Sequence, residues 1–309
     1  ALLATVASTA QANTVKWSMK GDSLTLDPHE QNEGPTTMVS RQVYEALVSR
    51  GLDMPIEPQL ATEWEIENPT TWVFTLRKGV TFHDGSPLKA SDVVFSFNRA
   101  KSKTSDFKEY IDSVTSIEAV GADKVKLVTE GPNPILLNQI SNIFVMSEAW
   151  SKANDSALPG DFNADEKTFA SSNSNGTGPF KITLREQDTK TVFEKNDGWW
   201  GTVEHNLDRI ELYPIANSAT RVASLLSGEI DIVTDAPVQE ECETQPHPVK
   251  VLVVCPPSPE PASSAPCDSD RQGGPSADVT EEAAEAVAAE AEAAEAEAAV
   301  EAEEEAEEA

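Results

Sequence analysis

The chain has 309 residues, enough for one large domain or two of ordinary size, and its formal net charge is −30. So acidic a chain repels phosphates, which argues against general nucleic-acid binding. The charge is uneven: residues 240–309 hold 20 acidic side chains against 2 basic ones, so more than half of the excess falls there.

In chain order, Ala1 to Ala12 is apolar and rich in small residues, and Ala10-Gln11-Ala12 has the shape of a secretory cleavage site. Residues 1–12 therefore read as the remnant of a signal peptide, with a mature start near Asn13; an ordinary apolar first helix is the alternative. The positive region and the initiator Met of a full leader are missing. No apolar run of about eighteen residues follows, so no membrane-spanning helix is expected. Val15, Trp17 and Met19 alternate as a first strand, and Gly21 to Pro35 reads as a polar loop. Thr37 to Leu47 places Met38, Val39, Val43, Ala46 and Leu47 on one helical face.

Trp72, Phe74 and Leu76 alternate as a half-buried strand, and Val80 and Phe82 resume the pattern. His83-Asp84-Gly85-Ser86-Pro87 is a turn: Asp offers a local acceptor, Gly accepts positive φ and Pro fixes its own. Ser91 and Asp92 then open a helix carrying Val94, Phe95 and Phe97. A second helical piece is expected over Asp106 to Ser113, a hairpin around Gly121-Ala122-Asp123, and a helix over Pro134 to Ile140. Lys152 to Asn175 reads as loop with weak helix between Asp165 and Ala170. Gly176 to Phe180 introduces strands at Lys181–Arg185 and Thr189–Glu194. A strand over Leu207 to Pro214 follows, then a helix from Asn217 to Gly228 with Val222, Leu225 and Leu226 on its inner stripe, then a buried strand at Ile230–Val233.

Few groups invite chemistry. The Gly176–Phe180 motif lacks the lysine ending of a phosphate loop, and Pro179 removes an amide that a phosphate cradle would use. Trp199 and Trp200 could stack on a ligand such as a sugar, or cap a core edge. His29, His83, His205 and His247 are too scattered for a metal cluster, and no G-x-S-x-G, H-E-x-x-H or C-x-x-C is present. His83-Asp84 could be a base with its orienter, but it also reads simply as the turn. Cys242, Cys255 and Cys267 lie at spacings unlike a compact metal site. No enzyme, cofactor or metal site is expected.

The order W-x-F-x-L-R-x-G-V-x-F-H-D-G-x-P-x-x-A-x-D-V-x-x-S, from Trp72 to Ser96, resembles the signature of the family 5 extracellular solute-binding proteins. These are the dipeptide, oligopeptide and nickel receptors of bacterial ABC importers. Leu26-Asp27-Pro28, Tyr44-Glu45-Ala46-Leu47, the Pro58–Trp64 element, Gly176–Phe180, Asn196–Trp200 and the block from Asp208 to Asp231 resemble further family elements. The likeness covers about Val15 to Pro237 and implies an α/β fold, a partial lobe of the type II periplasmic binding protein kind with a mixed sheet and flanking helices. It also implies capture of small peptides in the periplasm, with delivery to the permease and ATPase subunits of an importer. In oligopeptide-binding members an acidic residue of the loop after the first strand contacts the peptide, which makes Glu30, Asn32 and Glu33 the candidate ligand-binding residues.

Residues 13–239 thus read as the N-terminal part of the family domain. Residues 240–280 read as a Pro/Ser-rich linker, and residues 281–309, almost wholly Ala and Glu, as a disordered acidic tail. In the family the chain crosses to a second lobe and returns; here the likeness stops first, as in a truncated or frame-shifted chain or a true fusion. A non-functional fragment, an acidic interaction protein, or a nickel or sugar receptor are the alternative readings.

Overall fold

The computed structural model describes residues 13–51 and 53–235; the expected leader, linker and acidic tail, with all three cysteines and His247, lie outside the described residues. The elements run β1 (Thr14–Met19), α1 (Gly34–Val43), β2 (Val48–Arg50), β3 (Ile56–Pro58), β4 (Ala61–Asn68), β5 (Thr71–Leu76), α2 (Ala90–Ala100), β6 (Val114–Val120), β7 (Lys124–Thr129), α3 (Leu136–Ile140), α4 (Glu148–Ala153), β8 (Phe180–Glu186), β9 (Lys190–Lys195), β10 (Arg209–Pro214), α5 (Ser218–Leu226) and β11 (Ile232–Val233).

Two sheets follow from the period-two segments. The first is mixed, in the order β11-β1-β10-β9-β8. β1 runs parallel to β10 and β11, with Trp17 opposite both Leu212 and Ile232, and the pairs β10-β9 and β9-β8 are antiparallel. One face is buried by α1, whose Val39 and Val43 join Met19, Phe180, Phe193 and Leu212 in a core. The second sheet is antiparallel, β4-β5-β7-β6. Trp72, Phe74 and Leu76 of β5 pack with Val93, Phe97 and Ala100 of α2 in a larger core. A short hairpin of β2 and β3 sits beside it.

The turn between the second sheet and α2 forms as its residues dictate. Gly85 takes φ +85°, Asp84 accepts from the Ser86 amide and hydroxyl, and Asp92 accepts from the Lys89 amide at the start of α2. Elsewhere tertiary partners override local pattern. The helix expected to reach Leu47 stops at Val43, because residues 45–47 are taken up by neighbours. The Val145 amide donates to the Glu45 carbonyl, the Ala46 amide to the Gln59 side chain, and the Leu60 and Ala61 amides to the carbonyls of Ala46 and Leu47. The piece expected over Asp106–Ser113 shrinks to a 3-10 turn at Lys108–Ile111. Glu148–Ala153 is a helix capped by Ser147, a signal the sequence reading missed. Between Asp165 and Ala170 no α-helix forms, since Asp165 takes φ 53° between two 3-10 turns. On α5 the expected stripe is only partly inward: Arg221 and Ser224 are the buried residues, Val222 and Leu225 are half-buried, and Leu226 is 69% exposed.

The halves built on the two sheets meet at Asn175-Gly176-Thr177-Gly178. The His83 amide donates to the Gly176 carbonyl and the Gly178 amide to the Val43 carbonyl, both at 2.8 Å. A Cβ on Gly176 would overlap the Val43 carbonyl oxygen, and one on Gly178 would stand 2.7 Å from the same group. Both glycines are therefore fixed by close approach. Gly176→Ala should cost about 3 kcal/mol or more, read as a lowered urea midpoint.

Candidate ligand-binding face

In open sheets with parallel strands, ligands bind beyond the carboxyl ends of those strands. Beyond β1 lies the loop 20–33, which is polar in sequence yet largely buried. Its polar groups are consumed by partners. Asp22 accepts from Arg185 at 3.1 Å and from the Asp188 amide at 2.7 Å. Asp27 takes both terminal nitrogens of Arg99, and both side chains are fully buried. His29 faces the Phe144 carbonyl with Nε2 at 2.9 Å and Arg99 with Nδ1 at 3.2 Å. Arg99 can only donate and the carbonyl can only accept, so the proton sits on Nε2 and the ring is neutral. Burial, helped by the neighbouring Arg99 cation, lowers its pKa to about 3.

The three residues singled out from sequence stand in different settings. Glu30 is buried; one carboxylate oxygen accepts from the Thr25 hydroxyl at 2.7 Å and the Ser171 hydroxyl at 2.8 Å. Burial raises its pKa. Asn32 is exposed and donates to the Asp106 carbonyl at 3.2 Å. Glu33 is half-buried and caps α1, with Oε1 accepting from the Thr36 amide at 2.8 Å and from the Thr36 hydroxyl. Asn32 and Glu33 thus reach the surface, whereas Glu30 staples two loops. Two open grooves occur among the described residues, and only the smaller takes in a residue of this loop, Leu26. One of 720 Å³ includes Thr104, Lys152, Leu158, Gly160 and Lys167, and one of 340 Å³ includes Leu26, Trp150, Phe169, Ile182 and Arg185.

Other motif residues serve the joint. The buried Glu45 carboxylate accepts from the indoles of Trp199 and Trp200 and from the Thr177 hydroxyl, and the Arg77 guanidinium lies 3.9 Å from the Trp200 ring centre. The tryptophan pair is therefore pinned from below and Trp200 is covered as well, which favours an edge-capping role over a sugar platform. His83 and Asp84 do not pair as base and orienter. His83 Nε2 meets the Gly178 carbonyl at 3.1 Å, while Asp84 binds Ser86 and Asn175. No group of three metal-ligating side chains occurs among the described residues.

Sheet order and loop placement together define a lobe of the periplasmic binding protein type. The structure superposes on the ABC transporter-associated periplasmic binding protein DppA of Helicobacter pylori, solved with the peptide STSA, with a TM-score of 0.64 and 27% identity. The match covers 74% of this chain and 47% of that one. The model of the bacterial extracellular solute-binding proteins, family 5 Middle, matches residues 55–258, and the chain belongs to this family. Among curated relatives, the dipeptide-binding protein of Escherichia coli K12 is 27% identical over 74% of this chain and 46% of its own length. A glutathione-binding protein of E. coli O1:K1 is 25% identical over 78% and 45%. The chain spans about half the length of the curated relatives it matches.

Two histidines, His29 buried and His83 half-buried, set a pH dependence. Burial lowers the pKa of His83 to about 4 as well, from an ordinary value of 6.5. Both folded-state values are depressed, so this stability is present above pH 6.5 and is lost as the pH falls toward them. Each histidine should steepen acid destabilisation by about 1.4 kcal/mol per pH unit. His83→Gln should remove one such contribution, visible as a shallower plot of unfolding free energy against pH.

Proposed function

We propose that the protein is a substrate-binding component of an ABC importer, capturing small peptides in the periplasm and delivering them to the membrane permease while partner subunits hydrolyse ATP. The observation that carries this reading is a loop at the carboxyl end of β1 that is locked from beneath and presents Asn32 and Glu33 at the surface. A preorganised loop binds without first losing the entropy of ordering itself. The Asn32 amide can donate to a peptide carbonyl, and the Glu33 carboxylate, with one oxygen still available beyond its capping role, can accept from an ammonium or amide. Glu30 supports them from within. This is binding chemistry and calls for no nucleophile. The peptide ligands named for two relatives and the solved homologue support the same class of solute, and the periplasmic character named for the H. pylori protein supports the location.

Calorimetric titration of the full chain with dialanine, trialanine and glutathione tests the reading, and saturable heat is expected with at least one of them. Glu33→Ser keeps a capping oxygen while removing the carboxylate; it should weaken binding about tenfold or more at little cost in stability. Heat that never saturates with any of these solutes, or turnover of the peptide, would refute it.

A further inference from the structure

Arg99 lies one helical turn beyond the signature segment Trp72–Ser96, and its helix α2 lies against β6 and β7 of the antiparallel sheet. Its guanidinium, however, serves loops outside that sheet. Nη1 and Nη2 hold Asp27, Nη1 also meets His29 Nδ1, and Nε donates to the Ser156 carbonyl at 3.2 Å. Each partner passes the constraint on. Asp27 accepts from the His29 amide, and the His29 carbonyl accepts from the amide of Asp106, whose own carbonyl accepts from Asn32. On the other side, the Ser156 hydroxyl accepts from the Ala170 amide, and the adjoining Ser171 hydroxyl donates to Glu30. One cation therefore fixes loop 27–33 and the 156–171 segment together. Lysine could not do this, because a single ammonium cannot bridge both Asp27 oxygens and reach Ser156 and His29 in one plane.

We infer that Arg99 is a positioning residue for solute capture, fixing the loop that carries Asn32 and Glu33 without touching the solute. The inference rests on the capture reading above, and the test separates the two. Hydrogen exchange is measured on the full chain for Arg99→Lys and for Arg99→Gln combined with Asp27→Asn, which leaves no lone buried charge. The Asp27 and His29 amides, bonded to Thr25 and Asp27 side chains, should exchange about tenfold faster, while β5 and β10 keep their wild-type rates. Affinity for the solute that binds best among dialanine, trialanine and glutathione should fall about tenfold in the same variants. Unchanged loop exchange in the double variant, or acceleration spread evenly over both sheets, would overturn the inference. Should Asn32→Ala and Glu33→Ser weaken binding while the Arg99 variants do not, the inference falls and the capture reading stands. Should those two leave binding untouched, solute capture stands but not through this loop, and the inference that Arg99 positions it for capture falls; should no solute bind saturably, the capture reading itself falls, and loop exchange alone still decides whether Arg99 holds the loop.

Discussion

The structure depends on one close approach, the passage of Gly176-Thr177-Gly178 against the last turn of α1. Only residues without a side chain allow the Val43 carbonyl so near, and the same three-residue stretch engages the His83 turn and Glu45. The half built on the antiparallel sheet and the half built on the mixed sheet are thereby joined by backbone bonds more than by a shared apolar core, since the two cores are distinct clusters. Glu45 is the costly part of this joint. It is buried with three neutral donors, so burial raises its pKa even though each donor, and the nearby Arg77 cation, favours the ionised form.

Asp27 and Arg99 illustrate the second use of buried polarity. Desolvating both charges roughly offsets their attraction, so the pair is weak support for stability as such. What it supplies is geometry. A carboxylate fixed by two nitrogens at once, with a histidine held in one tautomer beside it, has few alternative arrangements. The loop above inherits that definition, and this is why a polar stretch rich in turn formers is as buried as the strand before it.

Much of this was legible in the residues. The strands Trp72–Leu76 and Val15–Met19, the Gly121 hairpin and the Gly85 turn all follow from alternation and positive φ, signals contained within a few neighbouring positions. The end of α1 was not legible: Ala46 and Leu47 fit a helical face, and only partners at Gln59, Leu60 and Val145 draw them away. The α5 stripe misled in part for a related reason, because Arg221 turns inward to bond the carbonyls of Ile215 and Asp235 while Leu226 stands exposed. At the candidate site, the loop was found from its likeness to a family element, but the division of labour within it was not. Nothing local reveals that Glu30 will meet Ser171 or that Asp27 will meet Arg99, residues 141 and 72 positions away.

Strand β4 carries Glu63, Glu65 and Glu67 on an exposed face and lies at the margin of its sheet. An extended chain laid along that margin would find repeated negative charge at alternate steps, with Lys126 offsetting Glu67 alone. A protein whose proposed work is to hold extended peptides is thus guarded, along this ledge, against gluing them on as extra strands, and against stacking on its own kind.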